Sequence, residues 1–579
     1  MLGVTPPISL NGPTDIEKQI SEQLVECLKS HKIFESDQEA RTREIVLGKL
    51  YQIVKDFVYR VSLKRKLPEA IAREAGGKIF TSGSYRLGVH NAGGDIDTVC
   101  VVPKHVQRED FFSDMFEMLS ERPEVMELTS VEDAFVPVIK MQFQGIPIDF
   151  LFAQLAIPSV PDTLDLADNN ILKNLDERCV RSLNGPRVTD DILRLVPVIP
   201  EFRMALRCIK LWAKKRAIYS NVNGFLGGVA YAILVARICQ LYPNANAGTI
   251  VSKFFRIFYQ WQWPQPVMLK PIEDGPLQVR VWNPKLYPTD KAHRMPIITP
   301  AYPSMCATHN VTHSTLTVMK SEFKRAMEIT DRLMIGAGKW EELFEKSDFF
   351  HRYRNYLQVI AASGSEEKQL RWSGFVESRI RQLVMKLEIA EGVLLAHPYV
   401  TCFDKIHYCA NDEEATAAAS GETVPGTKNM PKSKEEGKED AERIEKEGGR
   451  IVYTSTFYIG LCIEPKTAAT KGTRKLDLSW QTSDFVRMVK GWDRYEEGEM
   501  SIVLRHIKSS ALPDDLFEPG EVRTPRRKKA SLKRNAADGV DTPNKRQLIS
   551  PGKEKEPQQE DPEPSPDRRT EAVTGVEVA

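Results

Sequence analysis

Lys78-Ile79-Phe80-Thr81-Ser82-Gly83-Ser84-Tyr85-Arg86-Leu87-Gly88-Val89-His90-Asn91-Ala92-Gly93-Gly94-Asp95-Ile96-Asp97-Thr98-Val99-Cys100-Val101-Val102 is the stretch that decides the fold. It reads as a strand, a Gly-Ser turn opening a short helix, and a second strand beginning near Asp95. Residues two apart on a strand share a face, so Asp95 and Asp97 present two carboxylates whose backbone positions lie about 6.6 Å apart. Such a pair grips divalent cations, but two ions about 3.5–4 Å apart, as phosphoryl-type transfer uses them, need a third acid from a neighbouring strand. Asp149 is the candidate: it lies between Ile148 and Phe150, where an aspartate is costly to bury unless paired or metal-bound. Gln144-Gly145 precedes that strand and suits a tight turn, predicting an antiparallel hairpin from Phe135–Phe143 into Ile146–Ala153. At Gly83 and Ser84, exposed backbone N–H groups and a hydroxyl are able to hold a triphosphate. An isolated Asp-x-Asp is more often a solvated turn, and an isolated Gly-Ser nearly always is; their combination in this order is far more specific.

Outward from this stretch, Thr14 with Glu17 and Ser36 with Glu39 form two capping boxes, each opening an amphipathic helix. Glu109–Arg122 reads as a helix between the strands, so residues 1–165 form a mixed α/β unit. Helical periodicity dominates from Ile192 to about Asp331, interrupted by a proline-rich stretch from Pro264 to Pro303; this gives a helical domain over residues 166–345. Residues 346–508 return to short strands and helices, a smaller α/β domain. Within it, residues 411–449 are rich in charge and small side chains and read as a disordered insert. From residue 509 to residue 579 aromatics nearly vanish and Pro, Lys, Arg, Glu and Asp take over, the composition of a disordered tail.

A chain of 579 residues exceeds what one core serves, so several domains with a cleft between them are expected. A net charge of +1 leaves any basic surface to be local. Nine cysteines without a CxxC pair argue against a zinc site or disulfide framework, and the histidines show no ligand spacing. The N-terminus lacks the basic and apolar regions of a signal peptide, and the apolar run Ala217–Ala236 is broken by Ser220, Asn221 and Asn223. A soluble intracellular protein without membrane partners is expected, and the Asn310-Val311-Thr312 sequon is a coincidence.

The chain strongly resembles the nuclear eukaryotic poly(A) polymerases, members of the nucleotidyltransferase superfamily related to DNA polymerase beta. The resemblance runs from about Thr5 to Lys508 through Phe80–Val106, Glu132–Ala153, Leu175–Pro197, Phe202–Ala245 and His293–Thr315. It implies an α+β multidomain fold: a nucleotidyltransferase catalytic domain, a helical central domain completing the ATP cleft, and an RNA-binding domain similar to RRM and ferredoxin-like folds. It implies that AMP is transferred from ATP to RNA 3′ ends, with Asp95, Asp97 and Asp149 holding two Mg2+ or Mn2+ ions and Asp149 nearest the attacking hydroxyl. ATP is then held by Ser82, Gly83, Ser84, Asn91, Lys210, Tyr219 and the backbone at Gly228 and Val229, with Ile96 inside the carboxylate motif. Asn184 and Asn221 fall near the sugar or base, and Phe135, Lys140 and Asn310 near the RNA end. Many relatives carry an aromatic residue where this chain has Ser82.

Without the resemblance, Lys210 on its helix is an ordinary solvated lysine, Tyr219 a helix-end packing residue, and Lys253–Trp263 an aromatic core segment. Carboxylates alone do not identify the base, so a terminal uridylyltransferase remains an alternative. An inactive RNA-binding scaffold is opposed by the retention of all three aspartates. The third domain lacks the aromatic RNP pattern, so backbone contacts to RNA are expected there. Arg523–Lys529, Lys533-Arg534 and Lys545-Arg546 read as a nuclear localisation signal, and Thr524, Thr542 and Ser550 precede prolines as kinase sites would. Cleavage and polyadenylation factors are the implied partners of a monomeric catalytic unit.

Overall fold

A computed structural model describes residues 3–521 apart from 133, 135, 276, 278, 431–445, 447 and 466–475. The basic clusters and the Thr524, Thr542 and Ser550 sites lie outside the described residues, as does Phe135. The deciding stretch forms β1 (Lys78–Ser82), a short helix (Gly83–Leu87) and β2 (Ile96–Val102). With β3 (Val125–Val131), β4 (Val138–Phe143) and β5 (Ile146–Gln154) they make a sheet of order β1-β2-β5-β4-β3. β2 and β5 run parallel, and the other neighbours are antiparallel. β2 lies inside the sheet, and Ile96, Val99, Cys100, Val101 and Val102 are fully buried, so both faces of its apolar run are used. The β4–β5 hairpin turns at Gln144 and Gly145 with φ of 51° and 75°, the two positive values a type I′ turn requires.

The helix expected over Glu109–Arg122 is built in pieces: Arg108–Asp110, a π-turn at Phe111–Met115 and Phe116–Ser120. Phe111 is buried against Phe150 and Phe152 of β5, with ring centroids 5.2 and 5.4 Å away. β3 was not anticipated. It is an edge strand with mostly exposed side chains and an irregular register between Met126 and Thr129, so it lacks the apolar alternation that marks a half-buried strand.

Five long helices, Glu177–Arg194, Ile199–Lys215, Gly228–Leu241, Ala247–Gln260 and His313–Leu333, build the central region. Gly228–Leu241 is buried all round from Ala230 to Ile238, as its nearly uncharged sequence requires. The aromatic run is core: Phe254, Phe255 and Phe258 are fully buried, and Trp212 packs 4.7 Å from Phe255. The boundary drawn between residues 165 and 166 does not divide the cores. Ile20, Leu24 and Leu28 of the Asp15–Ser30 helix pack into the central helical core, and Trp340 Nε1 donates to Ile20 O at 3.0 Å. Glu177–Arg194 spans both, with Cys179 and Leu183 against the sheet and Val188 and Ile192 against the helices. An amphipathic stripe dictates burial but does not name the partner that covers it.

The third region comprises β6 (Asn355–Ser363), a helix (Glu366–Glu388), β7 (Val393–Pro398), β8 (Phe403–Cys409), β9 (Thr427–Asn429), β10 (Arg450–Ile463), a helix (Ser479–Lys490) and β11 (Met500–Lys508). The order is β11-β6-β10-β8-β9, and β7 pairs with the C-terminal part of β10. Read as β11-β6-β10-β7 with helices after β6 and β10, this is the antiparallel βαββαβ arrangement of a ferredoxin-like fold. Two boundaries need correction. Within the supposed insert, Asn411 caps a helix at Asp412–Ala419, whose Ala418 packs with Val424 against Cys409 and Val452, and β9 pairs with β8. Alanines are small enough to fill that seam despite the surrounding charge. Residues 509–521 are also ordered: Leu512 and Leu516, one helical turn apart in a charged segment, are 2% and 7% exposed and pack against Phe349, Phe350 and Tyr458. Among the described residues, no helix is long and apolar enough to cross a membrane.

Candidate active site

Asp97 opens β2 directly opposite Asp149 of the parallel β5, and Asp95 stands just before the strand. One ligand oxygen from each lies within 4.8 Å of the others. This all-oxygen donor set, on adjacent strand ends, suits a hard divalent cation such as Mg2+ or Mn2+. The acids oppose one another: burial, followed by the charges of Asp95 and Asp149, pushes Asp97 up to about 6. Lys140, opposite Asp149 on β4, offsets part of this charge with Nζ 2.8 Å from Asp149 Oδ2.

β1 leads into the Gly83-Ser84 loop and the short helix it opens. Ser82 is buried with its Oγ against Gly185 of the Glu177–Arg194 helix, so its side chain faces packing rather than the opening. Gly83 has φ +61°, and a β-carbon there would overlap Asp97 Oδ2. The five-residue helix then stops at Gly88 in the left-handed region (φ 70°). Arg203 Nε of the central region donates to Leu87 O at 2.8 Å, fastening this loop to the opposite wall.

Between the two walls is a cleft of about 440 Å³ lined by Gly83, Ser84, Asn91, Asp95 and Asp97 on one side and Lys210, Lys214, Tyr219, Gly228 and Val229 on the other. Lys210 is 8% exposed and donates to Val89 O at 3.0 Å. Burial, then the neighbouring Lys214 and Arg207, pull its ammonium down to about 8, while Asp95 and Asp97 oppose that shift. Tyr219 stacks on Tyr231 at 5.7 Å, and a β-carbon at Gly228 would come within 2.7 Å of Tyr219 Oη. Gly228 therefore keeps room beside the phenol at the N-terminus of its helix. That terminus has no side-chain cap, so its N–H groups and the positive end of the helix dipole face the cleft.

The other candidates lie outside the lining of this cleft. Ile96 is fully buried between the two carboxylates of its motif. Asn184 precedes Gly185, which packs against Ser82, and Asn221 lies beside Gly227. Asn310 Nδ2 donates to Asn221 O at 3.1 Å. The Oδ1 atoms of Asn184, Asn221 and Asn310 are buried and lack a hydrogen-bond partner. Lys140 pairs with Asp149 while about half of its side chain stays exposed. Thr189 and Lys214 also line the cleft and were missed. Lys214 was accessible to sequence reasoning, since it follows Lys210 by one helical turn; Thr189, on a helix between the two cores, gave no signal.

Residues 3–196 match the poly(A) polymerase nucleotidyltransferase domain, residues 201–346 the poly(A) polymerase central domain, and residues 348–526 the poly(A) polymerase predicted RNA binding domain. The chain is 52% identical over 570 residues to poly(A) polymerase pla1 of Schizosaccharomyces pombe, covering 95% of this chain and 99% of that one. It is 49% identical over 530 residues to poly(A) polymerase PAPa of Candida albicans, covering 90% of this chain and 94% of the relative. A sheet bearing three clustered carboxylates, a cationic helical wall and a ferredoxin-like third domain thus stand in the order those domains require, and the chain belongs to the eukaryotic poly(A) polymerases, a family of polynucleotide adenylyltransferases.

Proposed function

We propose that the cleft binds ATP and an RNA 3′ end and joins them by in-line attack at the α-phosphate, releasing pyrophosphate. The observation that carries this reading is the Asp95, Asp97 and Asp149 cluster facing Lys210 across one cleft. Two Mg2+ or Mn2+ ions held by the three aspartates would neutralise phosphate charge and lower the pKa of the attacking hydroxyl. Asp149 takes up that proton, and Lys140, its counter-ion at 2.8 Å, holds the carboxylate in place. On the far wall Lys210 and Lys214 balance the charge of the departing pyrophosphate, while Gly83 and Ser84 hold its oxygens through backbone and hydroxyl. The unpartnered amide oxygens of Asn184, Asn221 and Asn310 suit ribose hydroxyls and the exocyclic amine of adenine. Uracil presents a carbonyl at the corresponding edge and would leave an acceptor buried without a donor.

RNA enters this reading along the Lys140 side of the sheet and the third domain. The setting we propose is nuclear mRNA 3′-end processing, with cleavage and polyadenylation factors selecting the RNA and the basic clusters after Arg523 directing import. The test is primer extension with each nucleotide separately, beside Asp149→Ala. ATP-dependent lengthening that falls at least ~1000-fold in the variant is expected for loss of a metal ligand. Extension chiefly by UTP would overturn the substrate, and absence of extension by the intact protein would favour the scaffold alternative.

A further inference from the structure

We infer that Arg43, with Glu35 and Glu39, is a positioning device for Asp95, an inference that rests on the proposed role of Asp95 as a metal ligand. Ser36 and Glu39 open the Asp37–Lys64 helix with the spacing of a capping box, and Ser36 Oγ does accept from Glu39 N at 3.2 Å. Glu39 does not return the bond to the Ser36 backbone. Its Oε1 instead receives Gly93 N at 2.7 Å and Arg43 Nη2 at 2.8 Å. Arg43 is fully buried, and the same Nη2 donates to Gly94 O at 2.6 Å while Nε reaches Glu35 Oε2 at 3.1 Å. The other oxygen of Glu35 meets His90 Nε2 at 2.6 Å. Three charged side chains thus hold the His90–Gly94 loop at a ring nitrogen, an amide and a carbonyl.

Asp95 follows this loop directly. Among the described residues its carboxylate forms no hydrogen bond or ion pair, so only the backbone sets its place against Asp97 and Asp149. Gly93 has φ +68°, and a β-carbon at Gly94 would sit 3.0 Å from Asn91 O, so the turn is tight and held from one side by the clamp. A fully buried guanidinium is costly, and breaking its pairing by removing one partner leaves an uncompensated charge. That cost is concentrated on the segment that sets a metal ligand, the relation by which groups behind ligands tune metal affinity.

The test measures Mn2+ binding to the full chain by water-proton relaxation, without RNA or ATP, for wild type, Glu39→Gln, Arg43→Lys, Asp95→Asn and Leu50→Ala. Leu50 is buried in the same helix, in the apolar core beneath the sheet, so its variant reports lost stability. Glu39→Gln is expected to weaken Mn2+ binding about tenfold and Arg43→Lys at least as much, while Leu50→Ala binds as wild type despite a lower unfolding midpoint. Glu39 is partly exposed and its variant keeps the result readable if Arg43→Lys does not fold. Weakened binding in Asp95→Asn with normal binding in Glu39→Gln would overturn the clamp and leave the site intact. Unchanged binding in Asp95→Asn would overturn the metal-ligand reading beneath it, and equal weakening in Leu50→Ala would reduce the clamp to a stabilising contact.

Discussion

Gly83 meets two demands that no other residue type satisfies together: a left-handed backbone and an empty β position against the Asp97 carboxylate. Gly83→Ala should therefore lower kcat/KM about 100-fold with little change in fold, because a displaced carboxylate disturbs both metal and phosphate geometry; steady-state kinetics beside a thermal melt separates the two effects. Asp97 gives a pH prediction. Its pKa in the metal-free folded chain, about 6, lies above the ordinary 3.8, so its stabilising contribution is complete below 3.8 and lost as pH rises through about 6. Asp97→Asn should accordingly stabilise the chelator-treated protein at neutral pH by roughly 1–2 kcal/mol, and not below 3.8. The same variant should abolish any rise in melting temperature on adding Mn2+. The aspartates were legible because i, i+2 spacing and strand alternation place them without further information. The clamp around Arg43 was not, because Glu39 had an equally good local partner at Ser36, and only the folded loop supplies the competing N–H of Gly93.

At the scale of elements, the β4–β5 hairpin carries Lys140 and Asp149 opposite one another, so its turn sets the register of a charged pair. Gly145→Val places a β-branched residue at φ 75° and should cost about 1–2 kcal/mol in urea denaturation. Gln144→Asn, which tolerates that conformation better, should stabilise by on the order of 0.5 kcal/mol. This hairpin could be read from two residues. β3 could not, since an edge strand with polar side chains on both faces writes no period into its sequence. The segment after Asn411 failed for a related reason: charge and alanine content resemble disorder until Cys409 and Val452 supply a surface for Ala418 and Val424 to cover.

The whole molecule depends on joints between its regions. Arg216 and Glu322, 4% and 5% exposed, pair at 2.8 Å, and Arg216 also donates to the carbonyls of Glu345 and Lys346 just before the third region. Glu322→Gln leaves the half-exposed Asp348, 3.2 Å away, as the carboxylate still facing that guanidinium and should cost about 3 kcal/mol, measured by chemical denaturation. Since Arg216 lies three residues before Tyr219, the KM for ATP should rise in the same variant. Such joints are invisible in sequence because each partner alone is an unremarkable charged residue on a helix. The Asp15–Ser30 helix adds a matter of timing. It leaves the ribosome early, yet the groups that cover it include Asn246 and Trp340, 229 and 320 residues downstream of their partners Glu17 and Ile20. At about 5–20 residues per second, its apolar stripe waits roughly ten seconds to a minute for those groups to be made. During synthesis the beginning of the chain must stay uncommitted until its middle exists, so the opening helix is among the last pieces to find its place.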